Sequence, residues 1–264
     1  MGVPPVHFFG PMKNNLDYII ESIPHTPDPR AAQNPWLAPV FPLILSTLIG
    51  LLCLRAAGTT LGLFLGGLLL IVLITGPVIA AESTWLGRSL ATAGIIHGLS
   101  AVWFYAVIHA DLDLSLWAAS YLTLAVTVIA IAAFATLLKS TFHLGPIGGG
   151  AIATLLSMAW LTWPIWLSPA LHAPHGGRIA AWLIPAHPAF ALNTMLGPIL
   201  GYWAEQGIAY NLTNLGDDIG YTMPDGILWC ILLHLGFASA CITIAWLFNP
   251  KGGTGFQPVL AAQN

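Results

Sequence analysis

The chain has 264 residues, of which 57% are hydrophobic and only 6% are charged. Soluble domains carry about 25% charged residues, so a composition this apolar indicates a protein with several membrane-spanning helices. Seven Lys and Arg against ten Asp and Glu give a formal net charge of -3. This balance excludes the basic surface that nucleic-acid binding requires. The three cysteines all fall inside apolar segments and form no Cys-x-x-Cys metal pair.

Residues 1–35 are rich in proline and lack the continuous apolar core of a cleavable signal peptide. Within them, residues 12–23 place apolar side chains at helical spacing with charged side chains between them. This pattern predicts a short amphipathic helix on the cytoplasmic membrane interface. The alternative is a frayed tail with chance periodicity. In either case we expect residues 1–35 to form a cytoplasmic N-terminal segment.

Six segments are apolar over the roughly 20 residues that a helix needs to cross a hydrocarbon core about 30 Å thick. They cover about 36–54, 59–80, 89–109, 114–138, 147–170 and 226–248. Short connections between the first five favour antiparallel neighbours. The sequence therefore predicts an all-α, polytopic membrane helix bundle over residues 36–248. The Gly, Pro and Gln content of residues 249–264 predicts a disordered tail.

The stretch WLIPAHPAFALNTMLGPILGYW, residues 182–203, is apolar enough to cross a membrane but carries Pro185, Pro188 and Pro198. Each proline removes a backbone donor and clashes with the preceding turn. The sequence therefore predicts a broken, re-entrant or interfacial helical element over about 179–203. Pro185 and Pro188 are expected to end one short helix, and Pro198 to start another. The alternative is a seventh span.

Loop charges distinguish six spans from seven, because cytoplasmic loops collect Lys and Arg. With six spans and both termini inside, Arg55 and Arg178 lie outside. Five basic residues then lie on the cytoplasmic side: Lys13, Arg30, Arg88, Lys139 and Lys251. With seven spans, the better orientation divides the same residues four to three. The charges therefore favour a six-span protein with both termini cytoplasmic, and we expect it in a bacterial inner membrane.

The six-span topology collects histidines and carboxylates on the outer side of the membrane. Two segments there, HADLD and HAPHGGR, contain candidate metal ligands: His109, Asp111, Asp113, His172 and His175. Imidazole and carboxylate groups that converge at one bilayer edge can bind a divalent metal such as zinc or copper. The alternative is that these residues are solvated loop positions and helix caps. His187 is predicted to lie on the same side.

Two histidines lie inside predicted spans, His97 in the third and His234 in the last. An unpaired ionisable side chain at membrane depth costs several kcal/mol, which makes such a residue a functional candidate. Two histidines on different helices can hold a b-type haem between them, so a redox or haem-binding function is one hypothesis. The alternatives are a neutral imidazole that hydrogen-bonds a neighbouring helix, or proton or substrate handling.

Small residues in two spans predict close helix packing. One face of the last span carries a continuous stripe: Cys230, His234, Ala238, Cys241 and Ala245. Cys241 lies about 10 Å beyond His234 along the axis, so the stripe cannot form a single three-ligand site. It predicts a packing surface instead. Gly94 and Gly98 in the third span predict a similar close approach.

The layout of the chain resembles the permease subunits of ATP-binding-cassette exporters of the six-span type. Those subunits have a cytoplasmic interfacial helix before the first span, six spans with both ends inside, and short broken helices between spans five and six. Residues 12–23 and 182–203 occupy the corresponding places. The resemblance is one of layout over about residues 12–248 and rests on no motif.

This resemblance implies a subunit without catalytic residues that dimerises and recruits a separate ATPase subunit. The contacts would come from residues 12–23 and 81–88, with Glu82 and Arg88 as candidate contact residues. The chain is therefore predicted to be a permease-like subunit of a membrane transport system. One alternative is a membrane redox or metal-binding protein that uses His97 and His234 or the outer histidines. Another is a structural subunit of a larger complex.

Overall fold

The computed structural model of the chain describes residues 38–57, 60–167, 171, 176–200 and 225–248. Within these ranges the regular elements are all helices, which confirms the predicted all-α class for this part of the chain. In chain order they are α1 (Val40–Ala57), α2 (Thr60–Ala81), α3 (Trp85–His109), α4 (Leu114–Thr141), α5 (Pro146–Leu161), α6 (Trp163–Trp166), α7 (Gly176–Ala186), α8 (Pro188–Leu200) and α9 (Leu228–Phe248). The predicted amphipathic helix at 12–23 and the predicted tail at 249–264 lie outside the described residues.

Three of the described helices, α3, α4 and α9, are long and apolar enough to cross a membrane by length and composition. Shorter apolar helices are found at Val40–Arg55, Gly66–Ala81 and Pro146–Leu161. These helices are compatible with the membrane location that the composition predicts.

Helix α4 occupies the centre of the bundle. It contacts α2, α3, α5, α8 and α9. Small buried side chains at Ala130, Ala133 and Ala135 allow several helices to approach it at once. Larger buried side chains, among them Leu124 and Trp103 of α3, fill the adjoining core. The position of α4 therefore brings helices that are distant in sequence to one common interior.

Helices α1 and α3 pack closely and run in the same direction. A Cβ atom added to Gly94 would lie 2.6 Å from the carbonyl oxygen of Pro39, and one added to Gly98 would lie 2.6 Å from that of Leu43. Only glycine leaves room for backbone contacts this short. The close approach predicted from Gly94 and Gly98 is therefore confirmed, and the order of the contacts makes the two helices parallel.

Helices α2 and α5 approach each other equally closely but run in opposite directions. A Cβ atom on Gly150 of α5 would lie 3.0 Å from the Cα atom of Pro77, and one on Gly76 would lie 2.9 Å from the Thr154 hydroxyl. The later residue of α2 thus meets the earlier residue of α5. This order of contacts makes the pair antiparallel.

The predicted fifth span at 147–170 is not a continuous helix. Helix α5 ends at Leu161, and the short α6 covers Trp163–Trp166. Pro164 stands where a continuous helix would need an amide to bond the carbonyl one turn earlier. The predicted span is therefore interrupted at this position.

The broken element predicted between the fifth and last spans is interrupted at His187, where α7 ends and α8 begins. Pro188 is the first residue of α8, so the prediction that it ends a helix was wrong. Proline suits this position because the first amide of a helix has no intrahelical partner to lose. Pro198, which was expected to start a helix, lies within α8.

Candidate functional site

His187 connects the helix break to the end of another helix. Its side chain is 2% exposed, and its Nε2 donates a hydrogen bond to the main-chain carbonyl of Leu161 at 3.0 Å. Leu161 is the last residue of α5, and the final carbonyls of a helix have no partner within it. The imidazole therefore caps α5 from a segment that lies later in the chain.

Aromatic side chains surround the His187 ring. The ring centroids of Trp160, Trp163 and Phe190 lie 6.1, 5.9 and 5.2 Å from it. Burial lowers the pKa of His187 to about 4, although the hydrogen bond to Leu161 acts in the opposite direction and nearby His234 lowers it further. The imidazole is therefore neutral, with its proton on Nε2. Its Nδ1 is buried and has no hydrogen-bond partner among the described residues.

His234 approaches the same region from α9. It is 7% exposed, and its Nδ1 donates to the main-chain carbonyl of Cys230 one turn earlier, at 2.9 Å. Its ring meets that of Trp160 edge to face, with centroids 6.4 Å apart. Trp160 therefore contacts both buried histidines, and it joins α9 to the break between α7 and α8.

A cavity of about 640 Å³ lies beside this group. Helices α2, α4, α5, α7, α8 and α9 all contribute to its wall. The lining is apolar apart from a few side chains, of which Thr127, Ser157 and His234 carry polar groups suited to hydrogen bonding. None of the described lining residues is Asp, Glu, Lys or Arg. A volume of this size is typical of a small-molecule site.

The structure does not bring the two predicted haem ligands into contact. His97 is an exposed residue of α3, and its ring stacks on Tyr121 of α4 at 6.2 Å. His234 is buried against Trp160. No ring contact joins these two histidines in the part of the chain that the structure describes. Haem binding by these two histidines remains a prediction.

The loop between α3 and α4 holds three of the predicted metal ligands. His109 stacks on Tyr105 with centroids 5.6 Å apart. The Asp113 carboxylate accepts a hydrogen bond from the Ser115 amide at 2.8 Å, and it caps the N-terminus of α4. These two side chains therefore have local structural partners.

Asp111, the third residue of this set, has a left-handed backbone conformation with φ of 53°. Within the described ranges, no group of three His, Cys, Asp or Glu side chains is arranged to hold a metal ion. His172 and His175 lie outside those ranges. Their contribution to a metal site remains a prediction.

Glu82 and Arg88, the candidate partner contacts, lie around the connection between α2 and α3. Arg88 Nε donates to the main-chain carbonyl of Glu82 at 3.1 Å. Lys139 Nζ donates to the same oxygen and to the carbonyl of Ala80, both at 2.8 Å. Cations placed at the C-terminal end of α2 also suit its helix dipole. Arg88 therefore has an intramolecular partner whether or not another subunit binds there.

The sequence suggested His97 as the partner of His234. In the structure, His234 and His187 both contact the ring of Trp160. The available signal was a histidine flanked by two prolines, which marks a helix break with free polar groups. Nothing in the local pattern identifies Trp160 as the residue between the histidines. Comparison of the chain with known protein families, with curated proteins and with solved structures found no match.

Proposed function

We propose that this chain is a six-span integral membrane protein that acts as a permease-like subunit of a membrane transport system. Three described helices have the length and apolar character of membrane spans. The parallel pair α1 and α3 and the antiparallel pair α2 and α5 support α1 to α5 as the first five of these spans, and the loop charges favour six spans over seven. A chain that crosses back and forth, with α1 to α5 as its first five spans, produces these relative directions.

The basic residues support the orientation of the six spans. Arg88 and Lys139 donate to the same carbonyl, that of Glu82, so they lie at one end of the bundle. Asp111 and Asp113 follow the opposite end of α3. Because cytoplasmic loops collect Lys and Arg, we assign the end with Arg88 and Lys139 to the cytoplasm.

The observation that carries the transport proposal is the cavity between the helices. A transport subunit needs a solute site inside its bundle, and such sites are commonly built at interrupted helices. Here the break contributes Ala186 and Pro188 to the cavity wall. The freed carbonyl at the end of α5 is satisfied by His187, so an interruption at membrane depth carries no unpaired carbonyl at that position.

A permease of this layout takes its energy from a separate ATPase, and we place the contact at the end of the bundle with Glu82 and Arg88. The test is affinity purification of the tagged chain from its own host, with ATP hydrolysis measured in the eluate. Glu82→Gln is the sharpest variant. It removes the carboxylate charge but keeps the main-chain carbonyl that Arg88 and Lys139 use.

Asp111→Asn is the matched control, because it removes one exposed negative charge from the other end of the bundle. We expect ATPase activity to co-purify with the native chain and with Asp111→Asn, and to be reduced with Glu82→Gln. A homogeneous preparation of the native chain without ATPase activity would contradict the proposal. If the same ATPase activity co-purifies with all three chains, the Glu82 carboxylate does not contribute to the contact.

A further inference from the structure

The cavity beside Trp160 is suited to an uncharged ligand. Its described lining contains no acidic side chain and no Lys or Arg. A charged group that enters an apolar site loses its hydration and needs a compensating charge. The described part of the wall offers none, so the ligand that fits it has a neutral polar end and an apolar body.

The polar atoms in the wall favour a ligand that donates a hydrogen bond. His234 Nδ1 carries its proton, because it donates to the Cys230 carbonyl at 2.9 Å. In an apolar surrounding the neutral imidazole is the favoured form, and its other nitrogen, Nε2, is then an acceptor. This nitrogen is the outer one of the ring and has no hydrogen-bond partner among the described residues.

The hydroxyl of Thr127 reinforces this preference. Its Oγ1 donates to the Thr123 carbonyl at 2.8 Å, so toward the cavity it can only accept. Ser157 is the second hydroxyl side chain in the wall, which also contains the indole N–H donors of Trp160 and Trp182. The Ser157 hydroxyl can rotate to donate or accept. A ligand hydroxyl, which both donates and accepts, suits this set, because it can donate to Nε2 of His234 and accept from the indole N–H of Trp160 or Trp182.

The cavity opens on a surface that is itself apolar. Trp182 and Phe237 line it and are 66% and 50% exposed. In the six-span arrangement such side chains face the hydrocarbon of the bilayer, so the ligand reaches the site from the lipid and not from water. This access requires a lipid-soluble molecule.

We propose that the cavity binds an uncharged, lipid-soluble alcohol, whose hydroxyl donates to Nε2 of His234 and whose hydrocarbon chain packs against Phe134 and Phe237. The inference rests on the proposed function, because it names the solute class of the same site. His187 does not touch the ligand in this arrangement. It is a positioning residue that holds the end of α5, and with it Trp160, in place.

The test uses the full chain in lipid nanodiscs and two photoactivatable probes. One probe is a long-chain fatty alcohol with a diazirine in its chain, and the other is the methyl ether of the same molecule. The ether keeps the length and the photochemistry but cannot donate a hydrogen bond. Peptides labelled after illumination are identified by mass spectrometry, and half-saturating concentrations are compared.

We expect the alcohol to label peptides around Trp160, Leu183 and Phe237 and to bind about threefold to tenfold more tightly than the ether, the range of one net hydrogen bond. His234→Phe should remove this difference. His234→Gln, which keeps an acceptor, should retain part of it. His97→Phe is the matched control and should change nothing, because His97 lies on α3 outside the cavity.

Equal binding of alcohol and ether to the native chain would overturn the inference, and this comparison does not depend on how well any variant folds. Labelling confined to other surfaces would overturn it as well. The outcome is distinguishable from failure of the proposed function. If the cavity binds the alcohol selectively but the chain purifies without an ATPase, the ligand-binding inference is supported and the proposal of an ATPase-driven permease is contradicted.

Discussion

His187 Nε2 donates a hydrogen bond to the main-chain carbonyl of Leu161 at 3.0 Å. A histidine at the break between α7 and α8 therefore caps the C-terminal end of α5. We expect His187→Leu to lower the free energy of unfolding by about 1–3 kcal/mol, because it leaves the Leu161 carbonyl buried without a partner. Thermal or denaturant unfolding in detergent micelles, followed by circular dichroism, measures the change.

The control for this prediction is His97→Leu, since His97 is exposed. Its expected effect is neutral or stabilising, because it replaces an exposed imidazole within a predicted span by an apolar side chain. A loss of the same size in both variants would mean that the capping bond contributes nothing measurable. His187→Gln, whose amide can still donate, should fall between the native chain and His187→Leu.

Stability should also depend on pH through His187. Burial lowers its pKa from the ordinary 6.5 to about 4, so the unfolded chain binds a proton at a higher pH than the folded chain does. The contribution is fully present above pH 6.5 and is lost as pH falls toward 4, with a total on the order of 3 kcal/mol. Unfolding measured across this window should show a decline that His187→Leu flattens. If His187→Leu shows the same decline in stability, the decline comes from other titratable groups.

Close packing of α1 on α3 should make Gly94 intolerant of any side chain. A Cβ atom there would lie 2.6 Å from the Pro39 carbonyl oxygen, so we expect Gly94→Ala to cost about 1–3 kcal/mol of unfolding free energy. Gly236→Ala in α9 is the matched control, because a Cβ atom there has no neighbour within 4 Å. It should be neutral or stabilising by up to about 1 kcal/mol. Similar losses in the two variants would contradict the packing of α1 on α3.

The six-span topology predicts which loops share a side of the membrane. Single cysteines are introduced at Ser83, Asp111, His143 and Asp225, in a chain whose native cysteines are replaced by alanine. A membrane-impermeant thiol reagent applied to sealed vesicles should label positions 83 and 143 from one side and positions 111 and 225 from the other. Labelling of 111 and 225 from opposite sides would contradict the six-span topology, because a seventh crossing between them would separate these two positions.

Much of the helical pattern was predictable because it depends on neighbours along the chain. The stripe of the last span was predicted to be a packing surface, and its residues are the buried ones of α9: Cys230, His234, Ala238, Cys241 and Ala245. Hydrophobic length and the 3.6-residue period suffice for such a prediction. Helix ends were less predictable. Pro188 can either stop a helix or start one, and local sequence does not decide between them.

Composition and helical periodicity were enough to predict that the chain is apolar and helical, that a helix breaks near His187, and which face of the last helix carries small packing residues. The contact of Trp160 with both His187 and His234 is visible only in the folded chain. The reason is physical. A helix period specifies which side chains share a face, but the partner of that face is chosen by packing between segments far apart in the chain.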